Sequence, residues 1–303
     1  MAKRASVPEQ RSSVANESAG DQGGTDGPVV DSSSAPALRI GGMALENGLL
    51  LQTARYWAAA VREEGGSISV VSGTKGVDLS GQSNGRLPIL RGLARMVDAL
   101  RVLPTIKRRV GSAVLPLETP RMIGALGVSA LLTPGSRRAG GSVAKRETGA
   151  LLLGLVPVLL ALRDSQLAGY HGAEHKAIDE YERGARGLDV EGAVREHDRC
   201  GSSLVAPMIA TTLAGNVVLR RLVREPSPLA VTVTGLLSLG SALEIFRWGT
   251  LRPDSLLAKG LSRSSYLLQH FFTTREPTEE QIEVARSALA ELLRLEANSV
   301  SGQ

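Results

Sequence analysis

The strongest constraint on this chain is a set of four stretches without a charged side chain, at residues 122–136, 148–162, 200–219 and 226–243. A helix crossing a bilayer needs about 20 mainly apolar residues. The last two stretches meet that length. The first two are shorter and contain Gly or Pro, so each suits a core helix, a re-entrant segment or a span completed by snorkelling arginines. Four such runs in the second half of one chain point to a multi-span helical membrane domain. Basic residues border them, as at Arg121, Arg137, Arg138, Arg220, Arg221 and Arg224, where a headgroup layer would receive them.

The remaining sequence fills in around that core. Residues 1–36 are rich in Ser, Gly, Asp and Glu and are expected to form a disordered tail, and no apolar run follows Lys3-Arg4 to make a cleavable signal peptide. The residues around Tyr56 to Val61 and Ser67 to Val71 suit a β-hairpin turning at Gly65-Gly66, followed by a loop from Gly73 to Gly85. Beyond Pro88, Leu90, Leu93, Val97 and Leu100 recur at helical spacing with Arg91, Arg95 and Arg101 between them. This predicts an amphipathic helix that suits anionic headgroups and an ordinary protein surface equally well. A second such helix is expected over 256–272, with His270 in a structural role. A third is expected to start at a capping box of Thr278 and Gln281, with Ile282, Ala285, Leu289, Leu292 and Leu293 on one face. Trp248 and Arg247 would anchor the end of the last apolar run at the interface.

The resulting expectation is a mainly α protein: a multi-span helical membrane domain, a small N-terminal region containing a β-hairpin, and a C-terminal amphipathic helix. Its divisions are a tail at 1–36, hairpin and amphipathic helix at 37–110, membrane domain at 111–250, a C-terminal helical region at 251–297 and a tail at 298–303. With four spans, the segment 163–199 would be cytoplasmic. The basic loop 137–146 would then face outside, against the positive-inside tendency, unless the first two runs form a re-entrant hairpin. The net charge is +5, but aromatics make up only 3% of the chain, too few for the stacking platforms of a nucleic-acid binder. The partners expected are a lipid bilayer and a protein at the cytoplasmic face, and no nucleic acid. One cysteine excludes an internal disulfide and leaves Cys200 as ligand, thiol or core filler.

The chemistry gathers at Gly169 to Glu182, which contains His171-Gly-Ala-Glu174-His175. On a helix, histidines four apart share one face and can offer two imidazole nitrogens to one ion. Glu174 completes the reversed zinc-hydrolase spelling His-x-x-Glu-His, in which the glutamate takes a proton from water at the metal. Zinc in a hydrolytic site takes three protein ligands, and the sequence offers Glu244, Glu182, His197 and Cys200 for the third place. Glu244 closes an otherwise uncharged run, where a carboxylate needs a partner such as a metal or Arg247. His197 and Cys200 also have the spacing of a ligand pair. Lys176 stands ready to steady an anion.

The block Gly169-Tyr-His-Gly-Ala-Glu-His-Lys176, followed by Tyr181-Glu182, resembles the signature of the YqhQ-like family, bacterial membrane proteins described as predicted metal-dependent enzymes. Gly41-Gly42-Met43-Ala44-Leu45-Glu46-Asn47-Gly48, Ala58-Ala59-Ala60-Val61-Arg62, Leu87 to Gly92, Arg199-Cys200-Gly201 and Thr273 to Pro277 are similar too. The similarity runs from about Ile40 to about Leu295. Met43, Leu49 to Gln52 and Asp198 depart from the family pattern, whereas His171, Glu174, His175, His197 and Cys200 keep it. The resemblance implies a membrane protein with a divalent metal, zinc by ligand type, and no settled reaction. The expected function is metal-dependent hydrolysis of a membrane-associated peptide or lipid. The alternatives are a non-catalytic scaffold or regulator with a structural metal or polar site, and a transporter component.

Overall fold

The structure is a computed structural model that describes residues 38–76, 88–163, 165–185, 192–196 and 200–301. The expected tail at 1–36 and most of the expected glycine-rich loop lie outside the described residues. So does His197.

Four antiparallel strands form a meander in the order β1 (Gly41–Leu45), β2 (Gly48–Gln52), β3 (Tyr56–Arg62) and β4 (Ile68–Thr74). The expected hairpin is β3 and β4, turning through Gly66 at φ 85°. The strands β1 and β2 were not expected. Their clue is hidden because β2 is buried on both faces, so Leu49, Leu50 and Leu51 make a continuous apolar run rather than an alternating one. Gly73, placed in a loop by composition, falls inside β4.

Helices cover both faces of the sheet. Leu49, Leu51, Ala58 and Ala60 pack on one side against α5 (Gln166–Ala185) and α9 (Glu279–Ser301), through Ala173, Ala177 and Ile178 of α5 and Val284, Ala288 and Leu292 of α9. Leu45, Leu50, Trp57 and Val61 point the other way, onto Ile106 of α2 (Leu103–Arg109) with Val102, Val110 and Ala113. Leu45, Leu49, Leu50 and Leu51 are fully buried, each contributing about 1.5–3 kcal/mol. The start of α9 follows its sequence signal: Gln281 N donates to Thr278 Oγ1 at 3.3 Å and Thr278 N to Gln281 Oε1 at 3.1 Å. It runs to Ser301, beyond the expected end at 297.

The apolar layer consists of two antiparallel pairs, α3 (Pro120–Arg138) with α4 (Val143–Leu162) and α6 (Val205–Leu222) with α7 (Pro228–Leu251). Hydroxyls stitch each pair to the facing backbone. Ser129 Oγ donates to Gly154 O at 2.8 Å, Thr211 Oγ1 to Ser238 O at 2.9 Å and Ser238 Oγ to Thr211 O at 3.1 Å. Close helix approach through small hydroxylated residues is the packing used where lipid removes the hydrophobic drive between helices. The outer surface leaves Leu131, Leu222, Leu229, Leu236 and Leu237 exposed.

Two helices, Gly201–Leu222 and Pro228–Leu251, are long and apolar enough to cross a membrane, and Val143–Leu162 with Gln166–Gly184 would add a third if that pair, bent by 76°, counts as one span. These two helices correspond to the two runs whose length met the span criterion in the sequence. The first run is cut by Pro134 and ends in Arg137 and Arg138, and the second starts with Lys145, Arg146 and Glu147 inside its helix. Far from the sheet, Glu147 is buried between Arg137 at 3.2 Å and Arg220 at 2.7 Å, tying α3, α4 and α6 together. Nearer the sheet, the amphipathic helix α1 (Pro88–Leu100) lies on α7, with Gly92 against Leu243 and Arg91 paired to Glu244 at 2.7 Å. α8 (Leu256–Leu268) ends in a π-helical turn, Gln269–Thr273, that leads back to α5.

Candidate metal site

The site lies where the sheet layer meets the apolar helices. His171 and His175 stand one turn apart on α5, with ring centroids 4.4 Å from each other. Both rings are oriented through Nδ1. His171 Nδ1 donates to Thr273 O at 2.7 Å and His175 Nδ1 to Arg195 O at 2.6 Å. A carbonyl only accepts, so each Nδ1 carries a proton and Nε2 is the ring nitrogen that can serve as a ligand atom. Histidines that hold metals are commonly fixed in this way by a second hydrogen bond. The approach that permits it is tight: a Cβ on Gly172 would fall 2.1 Å from Arg275 O, so only glycine lets α5 lie against the chain that supplies Thr273.

Cys200 comes from the opposite layer, just before the 3-10 turn Gly201–Leu204 that opens α6. Its Sγ sits 3.2 Å from His171 Nε2. One nitrogen from each histidine and this sulfur all lie within 4.8 Å of one another. A tetrahedral zinc with bonds of about 2.0–2.1 Å to nitrogen and 2.3 Å to sulfur needs ligand atoms roughly 3.5 Å apart. The donor set and spacing therefore fit a divalent ion, with adjustments of a fraction of an ångström to about an ångström.

Glu174 is 5% exposed and lies beside this trio. Across from it is β1: a Cβ on Gly42 would meet Glu174 Oε1 at 2.4 Å. Burial pushes the Glu174 carboxyl up to about 7, with the neighbouring His171 acting in the opposite direction. Among the described residues it makes no hydrogen bond or ion pair. His171, Glu174, His175 and Cys200 share the wall of one cavity of about 460 Å³, together with Ile40, Gly41 to Ala44 of the first strand and the apolar side chains of Leu162, Leu167 and Val205. That volume is in the usual range of small-ligand sites.

Other sequence-derived candidates go elsewhere. Glu244 is taken up by Arg91, with Arg247 at 4.0 Å, and lies outside the His-His-Cys trio. A carboxylate closing an apolar helix does need a partner, but the nearest is a guanidinium on α1. Glu182 is buried two turns further along α5, also outside the trio. Lys176 points outward to Glu276. His270 lies 3.0 Å from Glu196 Oε1 and is stacked on Tyr266. Sequence reasoning missed Gly42, Gly172 and the carbonyls of Thr273 and Arg195. Only the glycines carried a signal, as residues without a side chain in the blocks that resemble the family.

Residues 149–295 match the family described as "Protein of unknown function (DUF1385)", and the chain is 37% identical over 139 residues to "Uncharacterized protein YqhQ" of Bacillus subtilis (strain 168). Over this region the chain is similar to the YqhQ-like family. The alignment covers 44% of the chain and 42% of the relative, so it spans less than half of that protein's length. The YqhQ-like region holds all three members of the trio and Glu174, whereas β1 and Gly42 lie before it. No solved structure matches the chain.

Proposed function

We propose that this protein is a membrane-bound, metal-dependent hydrolase in which His171, His175 and Cys200 hold a divalent ion, zinc by donor type, and Glu174 is the general base. The observation that carries this reading is the convergence of two imidazole nitrogens and a sulfur within 4.8 Å on the wall of a 460 Å³ cavity that Glu174 also lines. A purely structural zinc is closed by four protein ligands, whereas a catalytic one has three and an open position. Among the described residues three donors stand at the cavity wall, which favours the second case.

A divalent ion there supplies Lewis-acid chemistry, acidifying water and polarising an acyl or phosphoryl oxygen. The chain's own groups do the rest. The carbonyls of Thr273 and Arg195 keep both rings in the tautomer that binds. A Glu174 carboxylate oxygen takes the proton of the attacking water and returns it to the leaving group. The apolar lining from Leu162, Leu167 and Val205 keeps bulk water away and suits a substrate arriving from the membrane. The exposed leucines of α3, α6 and α7 are read as the surface that meets lipid.

The test uses protein purified in detergent and loaded with zinc. One zinc per chain is expected for the wild type and for Glu174→Gln, and none for His171→Ala. Incubated with bacterial membrane vesicles, the wild type is expected to release new amino termini or free fatty acids, and Glu174→Gln to release neither. A zinc-loaded wild type that is as inactive as Glu174→Gln would refute the hydrolase and leave a metal-holding scaffold.

A further inference from the structure

The cavity has a second kind of wall opposite the metal ligands, and its chemistry is that of a sheet edge. β1 is an outermost strand, bonded only to β2. The pair turns through Glu46 and Asn47, with Leu45 opposite Gly48, Met43 opposite Leu50 and Gly41 opposite Gln52. In a two-residue hairpin the pair flanking the loop exchanges both hydrogen bonds, and bonded and non-bonded pairs then alternate. Leu45, Met43 and Gly41 therefore spend their backbone groups on β2. Gly42 and Ala44 turn their N–H and C=O groups outward, and no backbone partner takes them among the described residues. Both residues line the cavity that contains His171, Glu174, His175 and Cys200.

An outward edge of this kind pairs with another extended chain, which receives main-chain hydrogen bonds for affinity and offers alternate side chains to flanking pockets. The small side of β1 helps, since Gly41 and Gly42 raise no side chain between the strand and a visitor. The apolar residues Leu162, Leu167 and Val205 are placed to receive that visitor's side chains. A lipid ester has no repeating donor and acceptor to use these groups. The geometry points to an extended polypeptide as the substrate, laid along the free edge of β1 as a fifth strand and bonded to Gly42 and Ala44, so that one of its carbonyls faces the trio and Glu174. This deepens the hydrolase reading and rests on it.

The test compares three zinc-directed probes on zinc-loaded, detergent-purified full chain by calorimetry: an alanine–leucine tripeptide hydroxamate, the same peptide N-methylated on its backbone, and decanoyl hydroxamate. The peptide is expected to bind at least tenfold tighter than its N-methylated form, from about 2- to 10-fold per hydrogen bond lost. Ala44→Pro removes an outward N–H without touching a β1–β2 bond. It is expected to weaken the peptide by a similar factor while leaving zinc and decanoyl hydroxamate binding unchanged. Equal affinity for the peptide and its N-methylated form, or tighter binding of decanoyl hydroxamate, would overturn the peptide substrate and leave the hydrolase standing. Failure of the wild type to hold zinc would instead overturn the hydrolase reading itself. The N-methylated probe needs no altered protein, so the outcome stands even if Ala44→Pro does not fold.

Discussion

Replacing Gly42 by Ala tests the contact between strand and site most directly. The added methyl would lie 2.4 Å from Glu174 Oε1, 2.6 Å from Cδ and 2.8 Å from Cγ. Comfortable contact between such atoms is about 3.5 Å, so the overlap approaches 1 Å. β1 cannot yield easily, because its ladder to β2 holds it from Gly41 to Leu45. The Glu174 side chain must therefore swing away. Overpacking of this kind costs about 1–3 kcal/mol, or a fall in thermal midpoint of roughly 2–12 °C for a domain of this size. A displacement near 1 Å at a catalytic group costs about 100-fold in rate, while the trio keeps its zinc. Thermal melts in detergent, zinc content and turnover would be measured for Gly42→Ala, Glu174→Ala and the double variant. With Glu174 already shortened, the methyl has room and should cost little, so the two effects are not additive. If Gly42→Ala is as destabilising in the Glu174→Ala background as in the wild type, the strand does not press on Glu174, and the account of this wall is wrong.

Cys200→Ala leaves two imidazoles, and competition with a chelator should show zinc affinity falling by at least about 100-fold; an unchanged affinity would remove Cys200 from the ligand set. Glu147→Gln leaves Arg137 and Arg220 facing each other. The loss should be about 1–3 kcal/mol in detergent melts, below the 3–5 typical of a sealed ion pair, because both guanidiniums keep some exposure. Combining Arg137→Met, Glu147→Leu and Arg220→Met should restore most of it, since no charge is then left without a partner. Arg294 and Ser72 hold the Glu291 carboxyl down to about 2. Since the unfolded value is near 4.5, its contribution to stability is complete above about pH 5 and is lost as pH falls toward 2. Glu291→Gln should flatten the thermal midpoint over that window, and an unaltered pH profile would count against the contact.

Much of this architecture could be read from local pattern. His171 and His175 announced their site because both ligands sit on one helix, where spacing translates into geometry. Thr278 and Gln281 announced α9 for the same reason. What stayed hidden was set at long range. Arg91 meets Glu244 across 153 positions, and nothing near Glu244 names its partner. Thr273 and Arg195 act through backbone oxygens, which have the same chemistry whatever the side chain. Leu49, Leu50 and Leu51 hid a strand because both sides of it are covered. The first two uncharged runs were already short for a crossing, and the helices that carry them hold Pro134 in one and Lys145, Arg146 and Glu147 in the other.

The ligands of the trio come from separate layers, histidines on a helix seated against the sheet and a cysteine at the root of an apolar helix. Neither layer carries the whole donor set. On the proposed metal-binding reading, full-strength ion capture waits until the two halves have docked, and uptake of the ion becomes a stamp of completed assembly.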